Sequence, residues 1–195
     1  MIVKFLPTRD GGGLGSVNYL LNKRQEQGTA RVLKGNEAQT RAIISQIHYK
    51  QKTTFGVLSF AEKASDISDE TKQEIIKDFE RHLLGDYMKD RVNILWVEHT
   101  DKENHLELNF EIPKIEFQSL KSLQPYYHKA DLSRVDTFKE IINLEYDLSD
   151  PNDPIRESTI IGSRKKKALF QNVQELEDII KEQVLSRYLN SRDEV

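Results

Sequence analysis

Side chains able to bind an ion or move a proton crowd into eleven residues, among them His99, His105, Glu107 and Asn109, in the stretch HTDKENHLELN. An imidazole nitrogen with a carboxylate and a carboxamide oxygen suits a divalent cation such as Mn²⁺ or Mg²⁺. With one imidazole and no thiolate, the set is poor for structural zinc. The only charge in the set is the glutamate's, so an ion held by His99, Glu107 and Asn109 would bind weakly until a phosphate added more. The competing explanation is a strand whose second face is simply wet, which gives the same polar alternation.

An ion needs a nucleophile to act with. Cysteine is absent, no serine lies in G-x-S-x-G, and the glycines of GGGLGS do not match the phosphate loop G-x-x-x-x-G-K-[ST]. Tyr19 follows that glycine run in GSVNYLLNKR, with Lys23 and Arg24 one turn on. A tyrosine hydroxyl, with an ordinary pKa near 10, attacks poorly unless its proton is removed. Asp101, two residues after His99, is placed to orient that imidazole or to take the proton, or is a plain hairpin-loop aspartate. Glu62 is a weaker candidate for the same role. Seven tyrosines are present, and position alone does not choose among them.

These residues need a scaffold. Ile2–Leu6 reads as a strand, residues 7–15 as a flexible glycine loop, and Ser16 as the N-cap of a helix ending near Gly28. Asn36 caps a second helix. Residues 53–61 form a strand, and 69–84 a helix with Ile75, Ile76, Phe79, Leu83 and Leu84 as its buried stripe. NILWVEH and HLELNFEI are two strands joined by TDKEN. On the second, Leu106, Leu108, Phe110 and Ile112 face one way and His105, Glu107, Asn109 and Glu111 the other. A hairpin would bring His99 to about 5 Å from that second set. A helix over 132–144 and a charged helix over 165–187 follow. Hairpins mixed with helices predict an α+β fold, an antiparallel sheet with helices packed on it.

Composition sets outer limits. The 195 residues are 37% hydrophobic and 31% charged, as in a globular domain. The start, MIVKFLPTRD, lacks the apolar region of a signal peptide, and no run reaches the ~18 apolar residues of a membrane span. We therefore expect no membrane insertion and, without cysteine, a cytoplasmic protein. Net charge is −3, but residues 1–52 hold nine Lys/Arg against three acids, a net +6. An anionic partner would meet that segment.

The motifs together resemble a known family. The chain is similar to the relaxase domain of plasmid mobilization proteins of the MobA/MobL type, in the subgroup marked by a His-Glu-Asn triad. His99, seven intervening residues and Glu107-x-Asn109 match the spacing of the more common histidine triad, with Glu and Asn in place of two histidines. GGGLGSVNYLL resembles the nucleophile motif, with Tyr19 as its tyrosine. GVLSFAE (56–62), PYYHKAD (125–131) and DPNDP (150–154) resemble further family blocks. The resemblance covers residues 1–160 and leaves 161–195 as a charged helix that fits the start of a further region.

The resemblance implies a relaxase/replication-initiator (HUH-like) fold. It also implies a strand-specific transesterification in which Tyr19 nicks single-stranded DNA at an origin of transfer and keeps the 5′-phosphate. Mn²⁺ or Mg²⁺ would sit on His99, Glu107 and Asn109. Lys23, Arg24, Tyr126 and Tyr127 would contact DNA, and accessory mobilization proteins and a coupling protein would be partners. His105 lies outside the triad spacing. Two alternatives stay open: a non-catalytic DNA-binding mobilization accessory protein, and a rolling-circle replication initiator, whose tyrosine usually lies downstream of the histidines.

Overall fold

Strand-forming runs at both ends of the amino-terminal 113 residues collect into one sheet. The computed structural model describes residues 1–8, 12–100 and 103–149. The strands are Ile2–Leu6 (β1), Ala30–Lys34 (β2), Thr53–Lys63 (β3), Leu95–His99 (β4) and His105–Pro113 (β5). Their order is β1-β3-β5-β4-β2, and every neighbouring pair is antiparallel. The helices are Leu14–Leu20 (α1), Asn22–Glu26 (α2), Glu37–Gln46 (α3), Asp69–Leu84 (α4) and His128–Glu145 (α5). This is the expected α+β class. The chain divides into units Met1–Pro151 and Asn152–Val195, and the described residues lie in the first. The DPNDP block and the carboxy-terminal helix fall outside the described residues.

The two sheet faces carry different cores. Leu106, Leu108, Phe110 and Ile112 of β5, with Leu58, Phe60 and Trp96, form the larger one, and Ile75, Ile76 and Phe79 of α4 and Phe138 and Ile142 of α5 complete it. The Phe79 ring lies 5.0 Å from that of Phe110, 5.6 Å from Trp96 and 5.4 Å from Phe138. Gly56 makes room for this cluster. A Cβ there would fall 2.3 Å from Phe110 Cζ and 2.7 Å from the Lys4 carbonyl oxygen.

The opposite face carries a smaller cluster. Phe55, Leu95 and Val97 meet Val17 and Leu20 of α1, Leu21 and Ile44 of α3. Asn36 caps α3 as expected, accepting from the Gln39 amide, and Ser68 caps α4, accepting from the Thr71 amide.

Three expectations need correction. A strand, β2, lies where only a connection was expected. Arg31 and Lys34 dilute its apolar signal, and a bulge after Val32 interrupts its register with β4. The helix expected to run from Ser16 to near Gly28 is two helices, broken at Leu21. Ser16 is not its N-cap: the helix starts at Leu14, and Ser16 sits in the first turn with its hydroxyl directed to the sheet. The last described helix starts at His128, four residues early, with Asp131 accepting the Tyr127 amide at 2.7 Å.

Candidate active site

The face expected to be either wet or ion-holding is neither wet nor apolar. His99 is 1% exposed, Asn109 3% and Glu111 0%, all beneath the layer formed by α1–α3. Burial of three polar side chains on one strand pair requires hydrogen bonds or a ligand.

Register defines the geometry. His99 of β4 stands directly opposite Glu107 of β5, and Val97 opposite Asn109. Alternation then puts His99, Glu107 and Asn109 on one face. His99 Nε2 lies 2.7 Å from the Leu20 carbonyl oxygen. A carbonyl only accepts, so Nε2 carries the proton and the ring's lone pair is on Nδ1. A hydrogen bond of this kind fixes the tautomer of a ligating histidine. Leu20 is free to offer its carbonyl because the helix breaks at the next residue.

The neighbouring residue anchors this strand from the other side. Glu98 accepts from the buried ammonium of Lys72 on α4 at 2.9 Å and from Arg31 of β2 at 2.6 Å. Arg31 also pairs with Asp69 at 2.6 Å. These partners hold the Asp69 carboxyl well below its usual range, chiefly through the Arg31 hydrogen bond.

Tyr19 comes to the same place. Its ring stands edge-on to that of His99, with centroids 6.3 Å apart, and edge-on to Phe55 at 6.1 Å. The side chain is half exposed. The Arg24 guanidinium lies over its ring at 4.4 Å, with Nη2 3.4 Å from the phenolic oxygen. Pro7, Thr8, Gly12, Ser16, Tyr19 and Phe55 line a cleft of about 610 Å³. Gly12 has φ +92°, and a Cβ there would fall 2.1 Å from Thr53 Oγ1. Only glycine meets both demands.

Sequence reasoning placed Glu111 on the right face but gave it no part. Its carboxyl accepts from Ser16 Oγ at 2.7 Å, and Ser16 Oγ also lies 2.9 Å from the Gly13 carbonyl. Burial raises its pKa to about 7, against the opposing effect of the Ser16 hydrogen bond. Ser16 sits one turn before Tyr19, so this contact fastens the tyrosine's helix to β5. The second carboxyl oxygen of Glu111 and the amide nitrogen of Asn109 are buried without a hydrogen-bond partner among the described residues.

Two characterised proteins are similar over most of the chain. The chain is 43% identical over 182 residues to the cryptic plasmid protein C of Neisseria gonorrhoeae, covering 93% of this chain and 86% of that protein. It is 44% identical over 160 residues to the DNA relaxase MbeA of Escherichia coli, covering 82% of this chain. The chain belongs to the plasmid mobilization relaxases. The match spans 30% of the MbeA relaxase's own length. No family model matches the chain, and no solved structure does.

Within this relaxase framework the other candidates scatter. Glu62 accepts from the Ser149 amide at 2.7 Å. Burial opposes its ionisation most strongly, but hydrogen bonds from Ser149 and its own backbone, with the amino-terminal charge, together outweigh it and the pKa is lowered. His105 is half-buried and its Nδ1 lies 2.6 Å from the Ala61 carbonyl oxygen. It pairs with Lys63 of β3, beyond a register shift that follows Ser59, the partner of Glu107. Asp101 lies outside the described residues.

Tyr126 stacks on Phe5 with centroids 3.6 Å apart, while Tyr127 is 56% exposed. Lys23 is exposed on α2. The basic amino-terminal quarter is partly neutralised in the fold: Arg31 meets Asp69 and Glu98, Lys34 meets Glu80, and Arg41 meets Glu37. Among the described residues no group of three or more His, Cys, Asp or Glu is placed to hold a metal, and no helix is long and apolar enough to cross a membrane.

Proposed function

We propose that this chain nicks one DNA strand at a plasmid origin of transfer, with Tyr19 as the nucleophile. The observation that carries this reading is the convergence of Tyr19 on His99, edge to face at 6.3 Å, at the head of an open cleft. Membership in the relaxase family supports it. The Tyr19 hydroxyl gives its proton to a base, and the phenolic oxygen bonds the phosphorus. The bond to the 3′-oxygen breaks, and that oxygen leaves as a 3′-hydroxyl. The strand keeps its 5′-phosphate on Tyr19, and reversal rejoins it. The bond energy is conserved in the phosphotyrosine, so no nucleotide cofactor is needed. We assign the proton to Asp101 on its position two residues after His99. Arg24, over the Tyr19 ring with Nη2 3.4 Å from the phenolic oxygen, would meet the charge of the reacting phosphate.

His99 Nδ1, the Glu107 carboxylate and the Asn109 carboxamide oxygen would hold Mn²⁺ or Mg²⁺, which when bound would polarise a phosphoryl oxygen. The donor set fits such an ion: His99 is locked in the ligating tautomer and Glu107 stands directly across from it. The Asn109 amide nitrogen fits a second role, donating to a phosphate oxygen. Lys23, Arg24 and Tyr127 would flank the strand. Accessory mobilization proteins and a coupling protein in the cytoplasm complete the proposed setting.

The test is a covalent adduct. A labelled single strand carrying the origin of transfer should become linked to the wild-type chain on a denaturing gel and not to Tyr19→Phe. Unchanged linkage in Tyr19→Phe would overturn the assignment.

A further inference from the structure

A second cleft adjoins the first. It has a volume of about 310 Å³ and shares Pro7, Thr8 and Phe55 with the Tyr19 cleft. Its far end is formed by Gln51, Lys114 and Gln124. Phe55, which meets the Tyr19 ring, stands opposite Glu111 of β5, three residues before Lys114, about 10 Å at 3.3 Å per residue. The two clefts thus make one track across the sheet end, starting at the tyrosine.

Lys114 is the unusual group on that track. It is 9% exposed, and no carboxylate pairs with it among the described residues. Its ammonium donates to the Gln124 carboxamide oxygen at 3.0 Å. Gln124 is held in that orientation, because its amide nitrogen donates to the Tyr126 carbonyl. The backbone of Lys114 is fixed as well: its amide donates to the Lys52 carbonyl at 2.8 Å, and its carbonyl accepts from the Tyr49 hydroxyl.

Buried ammonium groups are normally paired, since burial without a counterion is costly. Burial accordingly lowers the pKa of Lys114. Among the described residues none that lines either cleft is acidic. Lys50 and Lys52 lie next to Gln51 in the chain, and no salt bridge engages them among the described residues. The site therefore lacks an anion and is shaped to receive one.

We propose that Lys114, oriented by Gln124, is a seat for a backbone phosphate of the bound single strand other than the phosphate that reacts at Tyr19. This rests on the nicking reading for the identity of the strand and deepens it. The strand enters at Tyr19, passes Phe55 and Pro7, and is clamped at Lys114. A clamp apart from the reacting phosphate supplies register as well as affinity, because phosphate contacts position a strand.

The experiment uses the full chain and a ladder of labelled oligo-dT single strands, from roughly 4 to 20 nucleotides, spanning the usual site sizes. Anisotropy titrations are run at several salt concentrations. Wild type should gain affinity in a step when the strand becomes long enough to reach Lys114. Lys114→Met should lose that step, bind long strands about tenfold more weakly, and show a salt slope smaller by about 0.7. Lys114→Arg should keep the step.

Gln124→Glu provides a second route that leaves the lysine in place. A carboxylate at that position would pair with the ammonium and abolish the step while the fold gains an ion pair. Wild-type binding by both Lys114→Met and Gln124→Glu would overturn the phosphate seat. The adduct assay is independent of this result. An adduct in wild type with no effect of either variant overturns the seat alone. A lost step in both variants upholds it even where no adduct forms.

Discussion

The two faces of β5 share one backbone and could hardly differ more. Phe110 and Asn109 are adjacent and both buried. Phe110 touches the Phe79, Trp96 and Phe5 rings. Asn109 lies in a layer with His99, Glu107 and Glu111, and its amide nitrogen has no partner among the described residues. The first face is built from groups that gain by leaving water. The second contains groups that lose by it, each buried unsatisfied polar atom costing about 1–3 kcal/mol. Local rules broken in this way concentrate at functional sites. The comparison teaches that the α4/α5 face supplies stability and the α1–α3 face spends part of it on a site.

The largest expected effect breaks the apolar face. Phe110→Ala should cost about 3–5 kcal/mol in denaturant unfolding, because it leaves a cavity among aromatic rings that cannot collapse. A loss below about 1 kcal/mol would mean that the larger cluster is not the main support of the sheet.

The second effect separates the faces by pH. In metal-free protein, with EDTA present, Glu111 has a pKa of about 7 against an ordinary 4.5. A carboxyl raised on folding favours the folded state fully below about pH 4.5, and that contribution is lost as pH rises towards 7. Wild type should therefore lose stability over this window relative to Glu111→Gln, which keeps an acceptor for Ser16 and has no charge to bury. Parallel pH curves for the two proteins would show that Glu111 is not held neutral.

Much of this contrast was legible in the sequence. The alternation of β5 assigns Leu106, Leu108, Phe110 and Ile112 to one core and Glu107, Asn109 and Glu111 to the other face, and the structure keeps both sets. The helix over 69–84 was legible because its apolar period and its Ser68 cap agree. Three features were not legible. β2 is a short edge strand with two cations, below what periodicity detects. The break at Leu21, which frees the Leu20 carbonyl for His99, carries no proline or glycine to announce it. The solitude of Lys114 is a matter of tertiary placement: a lysine after a proline reads as surface until Lys52, Tyr49 and Gln124 close around it. The +6 segment misled in part, because charge counting cannot see that Arg31, Lys34 and Arg41 are paired within the fold.

A smaller effect tests how the tyrosine's helix is fastened to the site face. Ser16→Ala removes the hydroxyl that joins Glu111 to the first turn of α1. It should cost about 1 kcal/mol in stability, up to 3 if the carboxyl is left ionised and unpaired. The catalytic consequence should exceed the structural one: the nicking rate should fall while oligonucleotide affinity stays near wild type, since a shifted nucleophile weakens the chemical step more than binding. Ser16→Thr, which restores the hydroxyl, should recover the rate. Equal losses of rate and affinity would make the contact a general prop.

The smallest expected change in stability falls at the centre of the site. Asn109→Leu conserves volume approximately, removes an unsatisfied amide donor and extends the apolar contacts of Val97 and Val57, its cross-strand neighbours. Replacing a polar group that has no partner by an apolar one of similar shape is close to neutral or stabilising. Stability should stay within about 1 kcal/mol of wild type, with a gain the more informative sign. Nicking should nevertheless be lost, because the carboxamide is proposed to meet either the ion or the phosphate. Adding Mn²⁺ in excess separates these roles. An ion-holding Asn109 predicts partial rescue, since His99 and Glu107 still offer two ligands, and a phosphate-binding Asn109 predicts none. A strongly destabilised Asn109→Leu protein would contradict the comparison itself, for it would mean that the polar face of β5 is a structural network and that the two sides of the sheet support the fold alike.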